Sequence, residues 1–130
     1  MWTLKSLTVS EKDAETIVHK WFENQTDAVQ TAFLARMKFL VGLPGNGWDR
    51  PYVGQLHGQC KGLFEIILEA DNVQHRPIGY FSAKEEFTFL LFATEKDDEF
   101  RPKNTCKLAQ LAKQIASTCE ERVREINIEC

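Results

Sequence analysis

GLFEIILEADNVQHRPIGYF, residues 62–81, decides the fold. Gly62 to Ala70 is almost continuously apolar, Asp71-Asn72 interrupts it, and Val73 to Phe81 resumes the apolar character, which predicts two strands joined by a tight turn. Pro77 has no N–H to give to a ladder, so the second strand should be bulged or at a sheet edge there. Ser82 to Glu86 reads as the next turn. Phe87 to Thr94 is apolar at both alternating sets of positions, so its strand should be central, with both faces covered.

Upstream of this core, Trp2 to Leu7 alternates loosely, as a short strand does. Ser10 with Asp13 resembles a capping box, and Ala14, Ile17, Val18, Trp21 and Phe22 recur at helical spacing, predicting a first helix over 11–24. Asn24 to Asp27 punctuates the pattern. Val29, Ala32, Phe33, Met37, Leu40 and Val41 then repeat it, completing a helical hairpin. Leu43 to Pro51, with two prolines and two glycines, is a loop.

Downstream, Pro102 and Asn104 announce a final helix in which Leu108, Leu111, Ile115, Cys119, Val123 and Ile126 fall on nearly one stripe. Run to residue 128, it would span about 36 Å, more than a small sheet covers, leaving part free for a partner or a dimer contact. The expected fold is α+β in a single domain: a short strand, a helical hairpin, a three-stranded antiparallel meander and a long C-terminal helix, with helices segregated from the sheet.

Composition narrows the function. Apolar residues at 43% and charged residues at 27% are ordinary for a globular domain. The N-terminal stretch has no apolar signal core, and no run reaches the ~18 apolar residues of a membrane span, so the expected location is the cytoplasm. Cys60, Cys106, Cys119 and Cys130 form no C-x-x-C pair and read as free thiols. His57 and Cys60 lack a second ligand pair, and no carboxylate pair stands out at helical metal spacing, so neither a metal nor another cofactor is expected. The net charge of −3 opposes indiscriminate nucleic-acid binding. Bases are nonetheless concentrated in 96–113, which holds five of them against three acids.

Gly62-Leu63-Phe64-Glu65-Ile66 on one strand, Arg76 with Tyr80-Phe81 on the next, and Arg101-Pro102-Lys103 before the final helix resemble the RelE/ParE toxin superfamily, most closely its phage-derived, HigB-like branch. The resemblance covers roughly residues 50–120. It departs from the branch at Ile67, where the branch tends to carry Arg, at Phe92-Ala93, where it carries His-Gly, and at Asp97, Asp98 and Glu99, which enter the basic run.

That resemblance implies the toxin component of a type II toxin–antitoxin system. The chain would be a metal-independent mRNA endoribonuclease, possibly ribosome-dependent in the family's manner, silenced by a protein antitoxin of the helix-turn-helix kind. Attack by a ribose 2′-hydroxyl needs a proton acceptor, a cation at the phosphate and a donor for the leaving oxygen. In this reading Arg76 and Arg101 bind the phosphate, Lys96 is the acid or electrostatic stabiliser, Tyr80 stacks or donates, and Lys61, Lys103 and Lys107 hold RNA. His75, one residue from Arg76, points to the other face. Trp48 and Tyr52 are core anchors or RNA-stacking rings. The rival readings are a non-nuclease family member acting by protein binding, and an unrelated α+β interaction domain.

Overall fold

The computed structural model describes residues 2–128. Along the chain, β1 (Thr3–Ser10) and β2 (Asp13–Thr16) form a hairpin, followed by α1 (Ile17–Glu23) and α2 (Asp27–Val41). Then come β3 (Val53–Gln55), β4 (Phe64–Ile66), β5 (Leu68–Ala70), β6 (Val73–Ala83), β7 (Glu86–Lys96) and β8 (Glu99–Arg101). α3 (Thr105–Thr118) and β9 (Val123–Ile126) complete it. The strands make one sheet along the path β2-β1-β7-β6-β4-β3, with β5 on β6, β8 on β7 and β9 on β1. β1 runs parallel to β7 and the other pairs are antiparallel. The fold is α+β, and the expected antiparallel meander, β4/β5 to β6 to β7, forms the middle of a larger mixed sheet.

β6 and β7 are the spine, and β7 is central as its unbroken apolar run predicts. Asp71 and Asn72 both take positive φ, 54° and 62°, in the tight turn expected between β5 and β6. The predicted strand 62–70 is instead two, broken at Ile67. Pro77 supplies the reason: β5 pairs with β6 up to His75, β4 resumes at Ile78, and the proline without an N–H sits buried in the gap. It is accommodated inside the sheet by interrupting its neighbour, not by lying at an edge.

Two predicted helices are shorter than expected. Residues 11–16 belong to the β1–β2 hairpin, so α1 starts at Ile17, capped by Thr16 Oγ1, which accepts from His19 N at 3.1 Å. The cap assigned to Ser10 is therefore six residues too early. The final helix ends at Thr118 instead of 128; a single 3-10 turn at Glu120–Arg122 leads into β9, which covers the free edge of β1. β-Branched Val123 and Ile126 suit a strand, and an otherwise open edge supplies the hydrogen bonds.

Helices lie on both faces of the sheet, where segregation from it was expected. On one face α1 and α2 bury Val18, Phe33, Met37 and Leu40 against Leu4, Ile66, Phe87 and Phe89. Trp21 stacks on Phe92 at 4.3 Å, and Trp48 stacks on Trp2 at 4.2 Å while donating to Leu40 O at 2.8 Å. Trp48 is thus a core anchor. Tyr52 is half-buried between Phe39 and Arg36. On the other face α3 packs Ala109 and Ala116 over Leu7, Ile78, Leu90 and Ala93.

A disulfide joins Cys60 to Cys106, replacing two of the expected free thiols; their Cα atoms are 4.8 Å apart across a sequence separation of 46. The two are brought together by packing of the 58–60 turn on α3, a tertiary contact with no mark in cysteine spacing. Cys119 is free, and Cys130 lies outside the described residues. No described helix is long and apolar enough to cross a membrane.

Candidate functional site

The cations assigned to phosphate chemistry divide between the two faces of the sheet. Arg76 is opposite Ala93, whereas Arg101 is opposite Thr94 and Lys96 opposite Glu99. Because side chains alternate along β7, Arg76 shares the α3 face with Glu95, while Lys96 and Arg101 belong to the face of the helical hairpin. They are not brought together around one phosphate.

Arg76 is also engaged elsewhere. It is 7% exposed, with Nε 3.4 Å from Glu65 Oε1 and 3.6 Å from Glu95 Oε1. Its Nη1 donates to His75 O at 2.9 Å, and its Nη2 to Gln74 Oε1 at 3.2 Å. Gly54 makes room for this network, since a Cβ there would lie 2.9 Å from Glu65 Oε2 and 3.1 Å from Arg50 Nη2. Burial pushes the Glu65 carboxyl above its ordinary value, opposed by Arg76 and Arg50 and assisted by Glu95. This is a buried ion network in which Arg76 Nε and Glu65 Oε1 make no hydrogen bond and are held by charge alone.

Lys96, Asp97, Asp98 and Arg101 lie instead on the β7–β8 hairpin. Asp97 and Asp98 form its turn, with φ of 54° and 62°, a conformation short acidic side chains tolerate. Asp97 and Asp98 therefore have a local structural role. Arg101 Nη1 pairs with Glu99 Oε2 at 3.0 Å. With Asn72, Gln74, Thr94 and Glu95, these residues line a shallow cleft of about 520 Å³ at the end of the sheet.

Tyr80 lies further along β6, opposite Thr88, with Lys113 Nζ 5.3 Å from its ring centre. Burial, then the nearby Glu86 carboxylate, raises its hydroxyl pKa. It faces a separate cavity of about 550 Å³ with Lys5, Ser82, Glu86 and Thr88. There Glu86 takes hydrogen bonds from Ser82 at 2.7 Å and an ion pair from Lys5 at 3.0 Å. Burial raises the Glu86 carboxyl, but these partners outweigh it and the net shift is downward.

Lys61, Lys103 and Lys107 are exposed, as the RNA-binding reading requires, but Lys107 lies on α3 and Lys103 just before it. Gln110 Nε2 donates to Lys61 O at 2.8 Å, tying the 58–61 segment to that helix. α3 itself is turned in an unexpected way. Its inward residues are small, Thr105, Ala109 and Ala116, so the helix sits close to the sheet; Leu108 and Leu111 are 37% and 50% exposed. Residues 102–119 carry Lys103, Lys107 and Lys113 and no acid. An apolar ridge bordered by lysines results. Its signal was present in the alanines at 109, 112 and 116, which compete with the leucine stripe for the inward face.

His75 occupies the face opposite Arg76, as alternation predicts, edge-on to Trp21 at 5.9 Å. It is buried with neither ring nitrogen hydrogen-bonded. Burial, then Arg76, holds its pKa below the ordinary 6.5. The native state therefore binds fewer protons than the unfolded state, and the stabilisation present above 6.5 is lost as pH falls through the lowered value. Glu65 acts in the opposite sense. Urea midpoints between pH 7.5 and 5.0 should decline less in His75→Phe than in the unsubstituted chain; parallel declines would remove His75 from the acid response.

The chain matches no protein-family model, no curated protein and no solved structure.

Proposed function

We propose that the chain acts by docking a protein on α3, as a non-nuclease member of the toxin group its strands resemble. The observation that carries this reading is the outward ridge of Leu108 and Leu111 among Lys61, Lys103 and Lys107. Exposed leucines bordered by like charges suit an amphipathic segment that supplies apolar anchors and acidic flanks. In the toxin–antitoxin reading the ridge docks the chain's protein target; the antitoxin, a small helix-turn-helix protein, silences the chain by covering the same ridge, and the protein works in the cytoplasm. A reducing cytoplasm would keep Cys60 and Cys106 as thiols, so in this location the chain would fold without the stabilisation that the bond contributes.

A second reading retains the ribonuclease. Lys96 makes no ion pair among the described residues and shares its sheet face with Arg101 beside the cleft. It would cut RNA without Arg76, whose buried network supports the fold.

The two readings separate on one preparation. The chain should bind an acidic amphipathic antitoxin and leave long single-stranded RNA intact. Leu108→Glu with Leu111→Glu should abolish binding while changing stability by no more than about 0.5 kcal/mol per site, as exposed substitutions do. RNA cleavage lost in Lys96→Ala would favour the nuclease. A ridge variant that binds as before would exclude α3 as the interface.

A further inference from the structure

Glu15, His19 and Glu23 recur at intervals of four across the start and length of α1. This series is a histidine between two glutamates, neither a Cys/His set nor a carboxylate pair, and so escaped the sequence reading. The fold nonetheless aligns all three. One ligand atom from each, two carboxylate oxygens and the His19 imidazole nitrogen, lies within 4.8 Å of the others. His19 Nε2 is 3.3 Å from Glu23 Oε1 and 3.9 Å from Glu15 Oε2.

We propose that these three side chains bind a zinc-class divalent transition metal. Donors on one tetrahedral zinc ion, at about 2.0–2.2 Å from it, lie roughly 3.3 Å apart. The His19–Glu23 separation already equals that figure, and rotation of the half-buried Glu15 side chain brings in the third donor. The imidazole selects against magnesium and calcium, which prefer all-oxygen shells.

Two features support the set. Thr16 caps His19 N, so the ligand-bearing turn is held by its own hydrogen bond. Among the described residues, Glu15 and Glu23 form ion pairs with His19 alone and with no lysine or arginine. A metal would therefore displace no competing cation.

Three protein ligands leave coordination positions for water or a small ligand. His19 also lines an apolar cleft of about 350 Å³ with Val18, Phe22, Phe33, Leu34 and Ile126. Since His19 lines that cleft, a fourth position on its side would suit a small molecule with a metal-binding head, such as a carboxylate, and an apolar body.

Calorimetric titration of zinc chloride into the full chain tests the site. One equivalent should bind, and His19→Gln should weaken it by more than about tenfold, because loss of even an outer-sphere partner costs 10–100-fold. Glu23→Gln should weaken it too, and His57→Gln should not. The cobalt complex should show no thiolate charge-transfer band, which separates this site from adventitious binding at cysteine. Unchanged zinc affinity in His19→Gln, a thiolate band, or no binding to the unsubstituted chain would overturn the proposal. A folded His19→Gln, verified by an unaltered unfolding midpoint without metal, keeps the comparison interpretable.

Discussion

Arg76→Ala should lower stability by about 3–5 kcal/mol, because it strands Glu65 in a buried site beside Glu95 with their shared cation removed. Arg101→Ala, whose partner Glu99 is exposed, should cost about 0–1 kcal/mol. The two arginines, equivalent in a catalytic reading, would differ several-fold in their effect on folding. A domain stable by about 5–15 kcal/mol could lose much of its margin in the first variant. Glu65→Gln added to Arg76→Ala should recover part of the loss, since the neutral amide removes the uncompensated charge. Denaturant midpoints measure all three. If Arg76→Ala is as stable as Arg101→Ala, the network is solvated and Arg76 is available for function.

Cys106→Ser should produce the other large loss. A loop closed over 46 residues contributes about 4 kcal/mol in the chain-entropy account of disulfides. For a domain of this size that corresponds to a drop of roughly 10–20 °C in Tm. Thermal unfolding with and without reductant supplies the control: reductant should lower the Tm of the unsubstituted chain towards that of Cys106→Ser and leave the variant unmoved. A Tm indifferent to reductant in both would mean that Cys60 and Cys106 are not bridged in solution.

Local features were legible where local chemistry dominates. The Asp71-Asn72 turn, the central apolar strand β7, the helical hairpin and the opposite orientation of His75 and Arg76 follow from turn residues and periodicity. What escaped depends on tertiary partners. Val123 to Ile126 continues a helical stripe on paper, yet β1 has an edge to cover and takes it as β9. Cys60 and Cys106 approach only after α3 packs on the sheet.

The candidate site was less legible than the fold. Arg76, Lys96 and Arg101 lie close in the sheet, but face alternation separates them and two glutamates enclose Arg76, neither of which residue type alone reveals. Leu108 and Leu111 were read as part of one apolar stripe with Ile115, whereas the adjacent alanines permit a closer approach and take the inward face.

The central claim is that α3, not the strand-end cleft, carries the activity. It is tested most directly by inducible bacterial expression at matched soluble levels, with growth and transcript ends followed together. The account predicts growth arrest without new transcript ends, retained in Lys96→Ala/Arg101→Ala and relieved in Leu108→Glu/Leu111→Glu. New transcript ends that vanish with Lys96→Ala/Arg101→Ala but persist in the ridge variant would contradict it.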